Sequence, residues 1–205
     1  IAVIDPNANK CRLGSYSGIP TRKISVLKGI EEKLGDEIEV YHEKGCNITF
    51  KDKINFSPEE WIDPEEGKDE VSQEQIYATA VEEIEFKMLY DDYLDNTKES
   101  DEVLIARALE LAKKVDQVVL VMGTSRFVSN EEADAEDLNW PGKQGELIKK
   151  VYEVNPNVVL VTLKGFQIKL NWEEENVPAI VEAWYTGQEQ GHAIADVRFG
   201  DYNPG

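Results

Sequence analysis

The chain has 205 residues, 41 acidic against 22 basic, which gives a formal net charge of −19 and a pI near 4.5. A field of that sign repels phosphate backbones and anionic lipid, so it argues against nucleic acid and membrane surfaces as partners. No apolar run approaches the ~18–20 residues that a spanning helix needs, and the length suits one domain that buries roughly 70% of its unfolded surface.

In chain order, Ile1–Asp5 (IAVID) reads as a first strand, followed by the turn residues Pro6, Asn7 and Asn9. Leu13–Pro20 (LGSYSGIP) is a glycine-punctuated loop. From Thr21 to Leu34, the residues Ile24, Leu27, Ile30 and Leu34 mark one face of a helix that Gly35 is placed to end. Glu37–Tyr41 alternates as a second strand and runs into the Gly45–Cys46 turn. Residues 51–70, with Pro58, Pro64 and Gly67, read as an irregular connection. Between Ser72 and Leu94, Ile76, Ala80, Ile84, Met88 and Leu89 suggest a long amphipathic helix. Its stripe has to be covered, either by its own domain or by a second copy in a homodimer. A further helix, Asp101–Lys114, carries Val103, Leu104, Ala108, Leu111 and Ala112.

The stretch from Val118 to Val151 organises the rest. Val118–Met122 is an unbroken apolar run, too short for a helix and rich in β-branched residues, as in a parallel strand buried on both faces. Gly123 ends it, and a polar loop crowded with Glu131, Glu132, Asp134, Glu136 and Asp137 follows. Pro141 is placed to start a helix with Leu147, Ile148, Val151 and Tyr152 on one face. After the Asn155–Asn157 turn come a buried strand at Val158–Leu163, a short helix, a last strand at Ala179–Trp184 and a final helix at Glu189–Phe199. Strands alternating with helices at this spacing predict an α/β fold with a parallel or mostly parallel sheet.

The chemistry legible in the residues is sparse. No G-x-G-x-x-G follows a strand, no phosphate-binding P-loop exists, and no G-x-S-x-G elbow activates Ser17 or Ser125. His42 and His192 are isolated and read as structural or solvated. The two cysteines, Cys11 and Cys46, form neither a disulfide framework nor a zinc site, and whether they pair stays open. The carboxylates between Glu131 and Asp137 do not follow the spacing of a calcium loop, so neither metal nor cofactor is expected. A loop leaving the C-terminal end of a parallel strand is a usual place for ligand chemistry. The remaining reading is therefore a carboxyl acid/base group in that loop.

IAVIDPNAN, LGSYSGIP, Lys28–Ile30, LNWPGKQGELIKKV, NPNVVLV and ENVPAIVEAWYTGQEQGHAIADVRFGDYNPG together resemble the second domain of family-three glycoside hydrolases, the β-glucosidase and β-xylosidase group. The resemblance takes in everything except about residues 51–100 and implies one domain over 1–205. That domain would be a three-layer α/β/α sandwich with a mostly parallel sheet of about six strands. Such enzymes are retaining glycosidases that use two carboxylates. In the family the nucleophile lies on an N-terminal (β/α)₈ barrel, and the domain resembled here lends the acid/base glutamate from its strand-end loop. The family's loop often reads S-G-E-G/A-x-D-R, and here Ser129–Ala135 stands in its place. Glu131 falls on the acid/base position, with Glu132 as the fallback, and Asp134 falls on the substrate-binding aspartate. The usual arginine is Ala135.

Other departures recur along the match. Asp5 and Gln190 stand where glycine is usual, Gln167 and Thr186 where proline is frequent, and Lys164 and Lys169 at apolar or small positions. Several of these read as a surface made more polar, by redesign after a covering domain was removed or by natural drift. The expectation is an isolated, engineered domain of a β-glucosidase-like enzyme that folds alone and does not hydrolyse glycosides alone. One alternative is a subunit or fragment that supplies the acid/base to a barrel-borne nucleophile. Another is a carbohydrate-binding or structural module, its carbohydrate held weakly or only with a barrel. No signal-peptide pattern opens the chain, although family relatives are often secreted or periplasmic.

Overall fold

A computed structural model describes residues 1–14, 17–50, 54, 87, 89–96, 98–128 and 134–204. Its strands are β1 (Ala2–Ile4), β2 (Tyr41–Glu43), β3 (Val118–Gly123), β4 (Val158–Leu163) and β5 (Ala179–Glu182). They form one sheet in the order β2-β1-β3-β4-β5, and every neighbouring pair is parallel. The helices between them are α1 (Val26–Leu34), α2 (Asp101–Ala112), α3 (Gln144–Val154), α4 (Asn171–Asn176) and α5 (Gln190–Phe199).

The unbroken apolar runs become the middle of the sheet because both of their faces are covered. All six residues of β3 and all six of β4 are buried. Ala2, Ile4, Leu120, Met122 and Leu160 point to the side where Ile105 and Ala108 of α2 and Leu147, Ile148 and Val151 of α3 pack. Val3, Val119, Val121, Val161 and Leu163 point to the other side, against Val26 and Ile30 of α1 and Ile194 of α5. Burying each such aliphatic side chain is worth roughly 1.5–3 kcal/mol. These two cores make the fold a three-layer α/β/α sandwich. Among the described residues the sheet has five strands rather than about six, and it is wholly parallel.

Three boundaries differ most from the sequence expectation. The first helix begins at Val26 instead of Thr21, because Ser25 is extended and its side chain caps the helix by accepting from the Lys28 amide. Just before it, Ile24 bonds across to Gln188 and Gly191 as extended backbone. The second strand lies at Tyr41–Glu43 because β1 sets the register, with Ala2 opposite Tyr41 and Ile4 opposite Glu43. Pro141 sits in the turn before α3, whose first residue is Gln144.

Residues 89–96 are helical. The stripe Ile76, Ala80, Ile84 and Met88, and with it the homodimer expectation, lies outside the described residues. Both cysteines are free thiols. Cys46 is wholly buried, and burial pushes its pKa well up, while Cys11 donates from Sγ to the Gly187 carbonyl at 3.4 Å.

Candidate functional site

The end of β3 is built to launch a loop. Gly123 has φ 146°, and a Cβ there would meet the Leu163 carbonyl oxygen at 1.8 Å, so no other residue fits this close approach of two strands. Gln144, the wholly buried first residue of α3, holds both sides of it. Its Oε1 accepts from the Gly123 amide at 2.7 Å, and its Nε2 donates to the Gly123 carbonyl at 2.8 Å and the Ile48 carbonyl at 2.9 Å. One step on, Thr124 Oγ1 accepts from the Gly165 amide at 2.8 Å and shares a 2.8 Å hydrogen bond with the Tyr185 hydroxyl. The ends of β3, β4 and β5 are thereby fastened together. Ser125 is buried and its hydroxyl accepts from the Phe127 amide at 3.2 Å, a turn-forming bond rather than the contact of an activated nucleophile.

Glu131 and Glu132, the carboxylates placed in the acid/base role, lie outside the described residues, as do Ser129 and Asn130. Asp134, Glu136 and Asp137 are exposed on the returning limb of the loop. Asp137 accepts from the Asn139 amide at 2.7 Å and from its Nδ2 at 2.8 Å, a local turn. The limb is then anchored twice. Lys169 donates its amide to the Leu138 carbonyl at 2.8 Å, and Trp140 donates its indole N–H to the buried Glu173 at 2.8 Å. Among the described residues no group of three or more His, Cys, Asp and Glu side chains could hold a metal ion.

The departures from the family pattern divide into two kinds. Gln167, Lys169 and Thr186 are exposed, which fits a polar surface. Asp5, Lys164 and Gln190 are buried, so they are not among the changes that make the surface more polar. Each sits at a strand end or helix start and has a specific partner. Gln190 Oε1 accepts from the Arg12 amide at 3.2 Å, and its Nε2 donates to the Lys10 carbonyl at 2.7 Å, which holds the loop after β1 against α5. The Lys164 ammonium pairs with Glu182 and lies 5.2 Å from the ring centre of Trp184, a cation–π distance. Trp184 is the one described non-glycine residue with positive φ, at 52°. Asp5 pairs with His42 Nε2 at 2.6 Å and accepts from the Ala8 amide. Burial raises the Asp5 carboxyl pKa against the pull of His42. Burial also acts to lower His42, but its bond to Asp5 and the charges of Asp5, Glu43 and Glu31 outweigh that and raise it.

Beside the C-terminal ends of β1 and β3 lies a cavity of about 610 Å³. Its wall takes Lys10 and Arg12 from the loop after β1, Lys23 from the approach to α1, Lys28 from α1 itself, and Arg126 from the loop after β3. Asp91 and Asp92 of the 89–96 helix face it, and Asp92 pairs with Lys10 at 3.2 Å and with Arg12. These two cations lower the Asp92 pKa against a burial effect that is the largest single influence on it. The sequence reading passed over this wall, although Lys10, Arg12, Lys23 and Lys28 lie close together in the chain and Arg126 alone of the five comes from a distant segment.

The profile of the glycosyl hydrolase family 3 C-terminal domain matches residues 1–205. The chain is 32% identical over its whole length to a β-xylosidase of Formosa agariphila and 31% identical over its whole length to a periplasmic β-glucosidase of Salmonella typhimurium. It spans 23% of the length of each of these relatives. Among solved structures, a β-glucosidase from Erythrobacter marinus superposes with a TM-score of 0.69 and 28% identity, covering 99% of this chain and 24% of that one. A profile match from end to end, whole-length identity above 30% and the same sandwich lead to one conclusion: the chain belongs to the family of glycosyl hydrolase family 3 C-terminal domains.

Proposed function

We propose that this domain serves a retaining β-glycosidase by holding an acid/base carboxylate, Glu131, over a sugar bound on a separate nucleophile-bearing barrel, and that the chain alone turns over no glycoside. The observation that carries the reading is the fastened end of β3. Gly123, gripped on both sides by Gln144, fixes the point from which the Glu131 loop leaves, in a chain that spans 23% of the length of its glycosidase relatives. Retention needs two carboxyl groups about 5–5.5 Å apart on opposite sides of the scissile bond. This loop supplies one of them. In the first half-reaction Glu131 gives its proton to the leaving oxygen while the barrel carboxylate forms the glycosyl ester. In the second it removes a proton from the water that hydrolyses the ester.

The test is release of aryl alcohol from aryl β-glucoside and aryl β-xyloside by the 205-residue chain, with and without an added family-three barrel. Release is expected only with the barrel, and Glu131→Gln should abolish it while Glu132→Gln leaves most of it. Turnover by the chain alone, abolished by Glu131→Gln, would sink the proposal. Loss with Glu132→Gln instead would move the role to the neighbouring residue.

A further inference from the structure

We propose that the cavity beside the ends of β1 and β3 binds a sugar that carries an acid group, either a uronate carboxylate or a sulfate ester. The proposal stands apart from the role given to Glu131. In a chain with 41 acidic and 22 basic residues, the wall of this cavity inverts the balance. Lys10, Arg12, Lys23, Lys28 and Arg126 line it against Glu31, Asp91 and Asp92. Lys10, Arg12, Lys23 and Lys28 come from one stretch of the chain, and the fold brings Arg126 to them from the loop after β3. Arg12 is held in orientation, its Nε donating to Asn7 Oδ1 at 2.7 Å and its other arm pairing with Asp92. With those two donors engaged, Arg12 fixes the shape of the wall, and an acid group entering the cavity would meet the ammonium groups of Lys23 and Lys28 as point charges.

Size and the apolar lining separate a sugar from a bare ion. About 610 Å³ falls among ordinary small-molecule pockets, which run from about 300 to 1,000 Å³, and far exceeds what an inorganic anion fills. Leu13, Leu89, Phe127 and Tyr185 supply the apolar part. Tyr185 is largely buried, and its hydroxyl is already engaged by Thr124. Its ring is therefore a fixed surface on which the C–H face of a pyranose can lie, with the acid group directed to the cations.

The test is titration of the 205-residue chain, followed by calorimetry and amide NMR, with glucuronic acid, glucose 6-sulfate, glucose and inorganic sulfate. At least one acid sugar should bind about tenfold more tightly than glucose or inorganic sulfate, as expected when one charged hydrogen bond is gained. Which of the two acid sugars wins identifies the acid group. The Lys23→Ala/Lys28→Ala variant should weaken it by about tenfold or more, whereas Lys114→Ala, far from the cavity, should not. Lys28→Gln alone provides the same reading if the double variant melts early, because the Lys28 side chain is exposed and its ion pair with Glu32, at 3.6 Å, spans one turn of the helix surface. The proposal is overturned if no probe binds, if glucose or inorganic sulfate binds as tightly as both acid sugars, or if the lysine variants bind unchanged.

Discussion

Asp5 and His42 are a buried carboxyl and a half-exposed imidazole that only the pairing of β1 with β2 brings together. Both pKa values are raised in the fold, so the folded chain holds these protons more tightly than the unfolded one. The stability each group contributes is then complete below its unfolded pKa and is lost as pH rises through the raised folded value. For His42 that loss begins above the usual imidazole value of 6.5. His192 is also raised, by its bonds to Glu32 and Glu189, but it is exposed and its share is screened by salt. The expected outcome is that urea-unfolding stability, measured in about 0.5 M sodium chloride, declines from pH 6.5 upward in the parent chain and declines less in Asp5→Asn. Equal slopes in both chains would mean that the pair does not titrate as described. None of this was legible in sequence, where His42 stood alone and Asp5 was only an unusual residue at the end of a strand. Gln144 belonged to the recognisable LNWPGKQGELIKKV stretch, yet its grip on Gly123 depends on where α3 begins, and the proline before it pointed to an earlier start.

Where α1 crosses α5 the two helices meet at glycine. A Cβ on Gly29 would lie 2.2 Å from the Gly191 carbonyl carbon, and one on Gly191 would lie 2.0 Å from the Ser25 carbonyl oxygen. Backbone cannot yield as a side chain can, so Gly29→Ala must push the helices apart and loosen Val26, Ile30 and Ile194 from the sheet. Overpacking of this kind costs about 1–3 kcal/mol or more, against a helix-propensity gain of about 1 kcal/mol for replacing glycine by alanine. Gly29→Ala is therefore expected to lower stability, with the unfolding midpoint in urea as the readout. Gly145→Ala in α3 is the contrast, since its nearest neighbour is the Trp140 side chain at 3.1 Å, which can shift. If Gly29→Ala proves as stable as the parent, the crossing is looser than the geometry states. At this scale the sequence was most informative where burial is complete, in β1, β3 and β4, which are covered on both faces. It was least informative at the exposed edge. β2 lies at Tyr41–Glu43 through its register with β1, and the alternation over Glu37–Tyr41 carried no information about that partner.

For the molecule as a whole, charge sets two opposing responses to salt. With 41 acidic and 22 basic residues, pairing every base still leaves an excess of 19 negative charges, whose mutual repulsion works against the compact state. The ion pairs work the other way, but many join exposed side chains one helical turn apart, such as Lys28–Glu32, Lys113–Glu110 and Lys150–Glu146. Pairs of that kind are worth about 0–1 kcal/mol each and are screened as well. Arg12–Asp92, with both side chains largely buried, is sheltered from the salt that weakens the exposed pairs, and in Lys164–Glu182 the lysine alone is buried. Screening therefore removes more repulsion than attraction. The melting temperature is expected to rise as sodium chloride is raised from about 0.02 to 0.5 M, where the Debye length falls from about 20 Å to a few ångströms. Sodium chloride is the appropriate salt because sulfate would strengthen apolar burial by exclusion and give the same sign for another reason. A melting temperature that falls over this range would mean that the paired charges, and not the excess acids, dominate the electrostatics of folding. The cationic cavity would then have to be regarded as one part of a stabilising network instead of an isolated inversion in an acidic surface.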